Sequence, residues 1–322
     1  MQYRNIKGTG LKVSKFCLGT MMFGGQTSEE DSIKIIDYAC EKGVNFFDTA
    51  DTYTGGASEA ILGKALEGKR EDAVIATKVH NPKGPFPNQS GLGRKHIITN
   101  VEESLRKLRT DYIDLLYLHH PDDETPLEET IETMTQLVRS GKIRYYGVSN
   151  YSAWQCCSII HKAREMGCIA PVITESVYNM LTRGIEDEMI PFLREYNMGL
   201  AVYNPIAAGL LSGKHSRSGP ASDSRLATNA GYNRRYWSDG NLDAVESLTA
   251  IASKADMSLL EFALTWLAQK DEVDCVISGV SKMDHAVQNI DILSEPKRIP
   301  DDLLSECDEV WAGIRGQYFN YH

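Results

Sequence analysis

Four polar residues stand where short apolar segments of the chain end, or just beyond. Asp48 ends the segment VNFFD, Lys78 ends AVIATK, His119 ends IDLLYLH, and Tyr53 follows Asp48 by five positions. If these side chains converge, the lysine ammonium would lower the pKa of the phenol, which is otherwise about 10. Asp48 would neutralise the lysine, and the histidine would orient a substrate or share in proton transfer. The set predicts a site that protonates a carbonyl oxygen while another group attacks its carbon.

Each of these residues also has a purely structural interpretation. An Asp-Thr step at a strand end often caps a helix, and a terminal lysine is commonly a solvated charge. A buried histidine is more often a hydrogen-bonded core residue than a catalytic one. The order and spacing of the four residues in combination favour the functional interpretation.

The segment DLLYLHHPDD (114–123) contains two adjacent histidines, and three roles are open for it: a metal site, a catalytic acid or base, and a plain strand end. Neighbouring side chains of a strand point to opposite faces, so we expect at most one of His119 and His120 to face any given cavity. A metallohydrolase would need more His and Asp ligands at other strand ends, and His80 is the one obvious candidate. We therefore predict no metal.

The elements that must position these residues alternate along almost the whole chain. Segments with helical period, such as 28–43 with Gly43 as its stop, lie between short apolar segments. The apolar segments are typical of buried parallel strands, and together they predict an α/β fold, a (β/α)8 barrel with an active site at its C-terminal strand ends. A doubly wound open sheet is the alternative. The predicted strands are 15–18, 44–48, 73–78, 113–119, 143–148, 171–175, 199–203 and 275–278.

Two segments depart from this alternation. Residues 204–240 lack a clear period, and a loop of that length inside a compact domain is usually functional or disordered. The tail from residue 300 begins with a helical pattern and ends in an aromatic stretch. We predict one domain over residues 1–322: a barrel with an N-terminal hairpin cap, a long loop after strand seven and an extra C-terminal helix.

Charge and composition exclude several classes of function. The chain has 34 basic and 44 acidic residues, a net charge of −10, which argues against nucleic acid or an anionic membrane as partner. No apolar run approaches the roughly 18 residues of a membrane span, and the N-terminus lacks a signal-peptide core. The seven cysteines show no CxxC spacing. We expect a cytoplasmic protein with reduced thiols.

Five motifs resemble the aldo-keto reductase superfamily, in order and over almost the whole chain. They are FFDTADTY (46–53), IATK (75–78), LHHPD (118–122), GVSN (147–150) and YNPIAAGLLSGK (203–214), and the opening segment is similar to that of the longer microbial members. The resemblance implies that Asp48, Tyr53, Lys78 and His119 are the catalytic tetrad. The family pattern L-H-x-P-D gives the catalytic role to His119, so we expect His120 to pack against a neighbouring loop.

The resemblance also implies a nicotinamide cofactor that lies extended across the C-terminal face of the barrel. No GxGxxG or P-loop motif is present, which disfavours a Rossmann dehydrogenase. In the family pattern, Ser149 and Asn150 bond the carboxamide, Tyr203 stacks on the nicotinamide ring, and a phosphate site at Ser281 and Lys282 favours NADP(H). The full set of expected contacts is Gly19, Thr20, Met21, Asp48, Ser149, Asn150, Glu175, Tyr203, Asn204, Pro205, Ile206, Gly209, Leu211, Lys214, Arg225, Gly279, Ser281, Lys282, His285, Gln288 and Asn289.

Two positions depart from the family pattern. Glu175 stands where Gln is usual, and a carboxylate cannot donate to the carboxamide oxygen unless it is protonated. Weaker nicotinamide binding and an unusual proton on Glu175 are the two interpretations. His285 stands where Arg or Gln is common, which predicts weaker or pH-dependent adenosine binding.

The resulting hypothesis is an NADP(H)-dependent reductase of an aldehyde or ketone, with Tyr53 as general acid. A non-catalytic NADP(H)-sensing regulatory subunit is the alternative, and a Schiff-base aldolase that uses Lys78 is disfavoured. The sequence does not predict an oligomeric state or a substrate. We expect the substrate pocket to be lined by Met22, Phe23, residues 79–93 and the C-terminal tail with Tyr318, Phe319 and Tyr321.

Overall fold

Eight parallel strands close into a barrel in the computed structural model, which describes residues 1–316. The barrel closes where β10 pairs with β3, with Val276 opposite Phe16. The predicted (β/α)8 barrel is therefore confirmed, and the open sheet is wrong. A two-stranded hairpin of β1 (Tyr3–Asn5) and β2 (Lys12–Ser14) precedes the barrel strands β3 (Phe16–Gly19), β4 (Phe46–Asp48), β5 (Val74–Val79), β6 (Ile113–Leu118), β7 (Ile143–Ser149), β8 (Ile173–Val177), β9 (Gly199–Tyr203) and β10 (Cys275–Gly279).

The helices follow the strands, and most of them pack an apolar face against the outer surface of the barrel. Several of their starts carry side-chain caps: the Ser28 hydroxyl accepts a hydrogen bond from Asp31 N, and the Ser258 hydroxyl accepts one from Glu261 N. The helices are α1 (Glu29–Glu41), α2 (Ala57–Ala65), α3 (Arg94–Leu108), α4 (Leu127–Arg139), α5 (Ala153–Glu165), α6 (Met189–Tyr196), α7 (Arg225–Thr228), α8 (Ala230–Tyr236), α9 (Asp239–Lys254), α10 (Leu259–Ala268), α11 (Met283–Ser294) and α12 (Asp301–Ile314).

The barrel interior is filled by side chains, because the strands are short and buried on both faces. Every residue of β5 and β6 is buried. The hairpin packs Ile6 and Val13 against this inner cluster, so it closes the N-terminal end of the barrel. The inner cluster also contains Cys17, Phe46, Val74, Ala76, Leu115, Tyr117, Ile173, Ala201, Cys275 and Ile277.

The long segment after β9 is where the sequence predicted it, but it is less irregular than expected. It contains a 3-10 turn at Ala207–Ser212 and the two short helices α7 and α8. The extra C-terminal helix is α12, which packs against α9. Among residues 1–316, no helix combines the length and the apolar character that a membrane crossing requires.

Candidate active site

The four candidate catalytic residues converge at the C-terminal end of the barrel. Asp48 ends β4, Lys78 lies in β5, His119 directly follows β6, and Tyr53 opens a 3-10 turn shortly after β4. The parallel register places Asp48 opposite Ala76, and Lys78 opposite Tyr117. The set surrounds the floor of a cavity of about 530 Å³ that Asp48, Tyr53 and His119 line. Lys78 is fully buried beneath them.

Lys78 is held by Asp48 in a buried ion pair. Its Nζ donates to Oδ1 of Asp48 at 2.6 Å, to Oδ2 at 2.5 Å and to the carbonyl oxygen of Thr49 at 3.0 Å. Although burial opposes the charge, the neighbouring Asp48 and Glu175 carboxylates raise the pKa of Lys78 well above its usual value. Lys78 is therefore a fixed cation, as the sequence predicted, and its charge is already balanced before any ligand binds.

Tyr53 lies between the lysine and the histidine. The Lys78 Nζ is 5.2 Å from the centroid of the Tyr53 ring, and the rings of Tyr53 and His119 meet edge to face at 6.1 Å. Burial raises the pKa of the Tyr53 phenol above its ordinary value, and Lys78 only partly offsets this because Asp48 and Glu175 oppose it. The expectation of a lowered phenol pKa is therefore wrong for the protein chain alone. The phenol is a firmly protonated group that can donate a proton.

His119 is a neutral imidazole at the edge of the floor. Burial, with the Lys78 charge next, lowers its pKa to about 2. Nδ2 of Asn81 lies 3.4 Å from its Nδ1. A neutral ring offers one donor and one acceptor, so it can orient a carbonyl without adding positive charge.

His120 does not point away from the cavity. Its ring stacks on that of His119 at 4.8 Å with an interplanar angle of 11°, and both histidines line the cavity. The expectation from strand alternation is wrong because β6 ends at Leu118, before either histidine. The alternation of a strand does not extend into the loop that follows it.

A hydrogen-bonded chain joins this floor to β9. The Tyr203 hydroxyl donates to Oδ1 of Asn150 at 2.8 Å, and Nδ2 of Asn150 donates to the carbonyl oxygen of His119 at 3.0 Å. Nδ2 of Asn150 also lies 3.1 Å from the Ser149 hydroxyl. Asn150 adopts a left-handed backbone conformation with φ 62°, which Asn tolerates better than most residues. The residues expected at a nicotinamide ring are thus brought together with His119.

Glu175 lies beside this chain in β8 and is 4% exposed. Its Oε2 is 3.4 Å from the Lys78 Nζ. Burial, reinforced by the nearby Asp48 charge, raises its pKa to about 8. Of the two interpretations of this departure from the family pattern, the direction of the pKa favours an unusual proton.

The other end of the cavity is cationic. Lys214, Arg225, Lys282 and His285 all line it. Nζ of Lys282 lies 3.4 Å from Oδ2 of Asp223, which joins the long segment to the turn after β10. Burial, with the charges of Lys214 and Lys282, lowers the pKa of His285. Such an end suits the phosphate groups of a dinucleotide.

Most of the expected contact residues reach this one cavity, but four do not. Among residues 1–316, Leu211 is fully buried in the core, Gln288 is exposed, and the Thr20 hydroxyl donates to the Asp48 carbonyl at 2.9 Å. Nδ2 of Asn289 donates to the Ser278 hydroxyl at 3.0 Å. The expected residues that line the cavity are Gly19, Met21, Asp48, Ser149, Asn150, Glu175, Tyr203, Asn204, Pro205, Ile206, Gly209, Lys214, Arg225, Gly279, Ser281, Lys282 and His285.

The expected walls of the substrate pocket are only partly correct. Met22 lines the cavity, whereas Phe23 is fully buried, and within 79–93 Asn81 alone contributes. Tyr318, Phe319 and Tyr321 lie outside the described residues. Sequence reasoning missed several lining residues, and those in α8 could not have been found because they belong to no motif. The missed residues are Gln26, His120, Asp223, Ser224, Tyr232, Arg235 and Ile277.

Comparison with known proteins agrees with this geometry. Residues 15–312 match the profile described as "Aldo/keto reductase family". Two relatives are named "Probable voltage-gated potassium channel subunit beta": one from Oryza sativa subsp. japonica is 33% identical over 317 residues, and one from Arabidopsis thaliana is 34% identical over 317 residues. In both comparisons 96% of each chain is covered. A relative from Schizosaccharomyces pombe (strain 972), also named as such a beta subunit, is 34% identical and covers 96% of this chain and 92% of its own.

Proposed function

The chain belongs to the aldo/keto reductase family, and from this we propose that it is an NADP(H)-dependent oxidoreductase that reduces an aldehyde or ketone. The observation that carries the proposal is the Asp48–Lys78 pair buried directly beneath a cavity lined by Tyr53 and His119. A protonated phenol and a neutral imidazole at one floor are the groups needed to bind a carbonyl oxygen and to give it a proton.

The residues of the cavity fit a nicotinamide dinucleotide. One end carries Tyr203 and Asn150, an aromatic face and an amide suited to the nicotinamide group, and the other carries Lys214 and Lys282 for phosphates. Lys282 beside Ser281 is the feature that favours NADP(H) over NAD(H). When bound, the cofactor supplies or accepts the hydride.

The chain itself supplies proton transfer and charge. Tyr53 donates its phenolic proton to the substrate oxygen, and its pKa must fall while it does so. The fixed cation of Lys78, 5.2 Å from the ring, stabilises the developing phenolate, and Asp48 holds that cation in place. His119, as a neutral imidazole, donates one hydrogen bond to the substrate carbonyl oxygen and so orients the carbonyl.

Tyr53→Phe tests the proposal, because it removes the acid and keeps the ring. We expect the kcat of NADPH oxidation with a panel of aldehydes and ketones to fall at least about 100-fold, the lower range for loss of a general acid. The NADPH dissociation constant should stay within about twofold, since the phenol is not a cofactor ligand in this proposal. Carbonyl reduction at the parental rate would show that Tyr53 is not the acid.

The names of the relatives favour a second candidate, a potassium-channel subunit that binds NADP(H) and turns over slowly or not at all. The residues of the site are compatible with both candidates, because both would bind NADP(H) in the same cavity. They differ in turnover: tight NADPH binding without oxidation on any carbonyl of the panel would favour the subunit. Co-purification with the cytoplasmic part of a potassium channel would then be its positive test.

A further inference from the structure

Lys78 has no hydrogen-bond donor left for Glu175. An ammonium has three protons, and those of Lys78 go to Oδ1 and Oδ2 of Asp48 and to the carbonyl oxygen of Thr49. Oε2 of Glu175 lies 3.4 Å from the same nitrogen, yet within residues 1–316 it accepts no hydrogen bond. Oε2 of Glu175 is therefore in ionic contact with the lysine, while the three short hydrogen bonds of the ammonium go elsewhere.

The buried cluster has two carboxyl groups and one ammonium, and among residues 1–316 its surroundings supply no further cation. The thiols of Cys17 and Cys275 and the phenol of Tyr117 have pKa values raised well above normal by burial, so they are neutral. Tyr53 and Tyr203 are neutral phenols for the same reason. β7 presents Ser149, which does not titrate. In the described part of the chain these are the groups that face Glu175, from β3, β6, β7, β9, β10 and the turn after β4.

An uncompensated negative charge at this depth is unfavourable, and one proton removes it. The proton belongs on Glu175 rather than on Asp48, because both oxygens of Asp48 accept short hydrogen bonds from Lys78 and so favour the carboxylate form. The Oε2 atom of Glu175, in contrast, has room for a proton of its own. Burial and the Asp48 charge raise the Glu175 pKa to about 8, which agrees with this placement.

We propose that Glu175 is a proton-bearing carboxyl group in the floor of the cavity, and that its O–H donates a hydrogen bond to an acceptor on the bound ligand. On the proposed function, on which this inference rests, the acceptor is the carbonyl oxygen of an amide, the carboxamide of the nicotinamide ring. A glutamine would donate at any pH, whereas this glutamic acid donates only while it is protonated. Affinity for the cofactor is then coupled to pH through one residue.

The sign of the coupling follows from which form binds. The ligand binds the protonated form, so affinity is highest below the pKa of free Glu175 and falls about tenfold per pH unit above it. We expect NADPH affinity, measured by tryptophan quenching, to be flat from about pH 6 and to fall above about pH 8. Glu175→Gln, which keeps size and shape, should bind NADPH with little pH dependence.

A matched control changes a buried acid outside the cavity. Glu59 is fully buried in α2, accepts from the Thr77 hydroxyl at 2.7 Å and does not line the cavity. Glu59→Gln should keep the alkaline loss of affinity. If native affinity is independent of pH while NADPH still binds, or if Glu175→Gln retains the native loss, the inference is overturned and the proposed function stands.

A cofactor-free measurement separates the two proposals. Free Glu has a pKa of about 4.3 in an unfolded chain, so between that pH and about pH 8 the folded state binds the extra proton. The stabilisation that this proton gives the folded state is therefore fully present below about pH 4.3 and is lost as the pH rises to about 8. Relative to Glu175→Gln, the unfolding equilibrium constant of the native chain should therefore rise about tenfold per pH unit across this window and show no further rise above it. Parallel curves would overturn the inference; the expected divergence together with no NADPH binding would leave the proton on Glu175 and overturn its role as a cofactor donor.

Discussion

At the scale of single residues, the two neighbouring histidines differ in what they touch. His119 lies edge to face with Tyr53 and carries the carbonyl oxygen that accepts from Asn150, whereas His120 stacks on the His119 ring. His120 also contacts His80 edge to face at 5.4 Å. His119 therefore lies beside Tyr53 at the cavity floor, and His120 lies in the cavity wall.

The same substitution at both positions tests this difference. We expect His119→Gln to lower kcat for carbonyl reduction by about 100-fold, because it removes the group that orients the substrate oxygen. His120→Gln should change KM by a fewfold and leave kcat within about threefold, because a wall residue contributes equally to ground-state and transition-state binding. Steady-state kinetics with one aldehyde are sufficient, and equal losses of kcat would contradict the assignment.

The spacing of residues predicted the convergence of Asp48, Lys78 and His119, because parallel strand ends meet at one edge. It did not predict the position of His120, which depends on where β6 stops. It also gave the wrong direction for the pKa of Tyr53. That pKa depends on how much solvent the folded chain excludes and on which carboxylates already balance Lys78, and neither is local in sequence.

At the scale of elements, α2 directly follows the turn that begins at Tyr53, and it packs very closely against the end of α3. A Cβ at Gly63 would lie 2.5 Å from the backbone carbon of Leu108, at the end of α3. Glycine is thus required there by contact, not by an unusual backbone angle. The close approach fixes how far α2, and with it the preceding turn, can move.

Gly63→Ala should lower the free energy of unfolding by about 1–3 kcal/mol, the usual cost of overpacking against backbone, and should also reduce kcat by displacing Tyr53. Urea unfolding and turnover measure the two effects. Gly313→Ala in α12 is the control, since nothing lies within 4 Å of its new Cβ and alanine favours a helix. It should be neutral or slightly stabilising, and a similar loss in both variants would contradict the packing argument.

Elements were predicted from sequence where their pattern was long or bounded by clear stops. The barrel strands were found to within one or two residues because they are apolar on both faces. α7 and α8 were missed because 4 and 7 residues are too few to show a helical period. The left-handed backbone at Asn204, φ 58°, likewise leaves no signature in the sequence.

At the scale of the whole molecule, one end of the barrel is open and the other is closed. The C-terminal end holds the cavity, and the N-terminal end is closed by the hairpin. Lys15, just after β2, is 1% exposed and donates to the carbonyl oxygen of Val273 at 2.5 Å. That the chain forms one domain over residues 1–322 stays a prediction.

Lys15 should make stability depend on pH without affecting activity. Burial, with the Arg4 charge next, lowers its pKa to about 7, whereas an unfolded lysine titrates near about 10.4. Between these values the unfolded state binds more protons, so the free energy of unfolding should rise with pH by up to about 1.4 kcal/mol per unit. Lys15→Met should lack this rise in urea unfolding and keep the parental kcat; identical slopes would contradict the burial argument.

The closed lower end has a consequence for proton exchange. Ile6 and Val13 close the N-terminal end of the barrel, and packed side chains such as Phe46 and Tyr117 fill the barrel interior above them. Within the part of the chain that the structure describes, the cavity mouth is therefore the open route by which protons reach Lys78 and Glu175. A ligand lying across the floor would block that route, and the proton that Glu175 carries when the ligand binds would then stay on it until the ligand is released. Exchange of this proton with solvent would then be limited by the rate at which the ligand leaves.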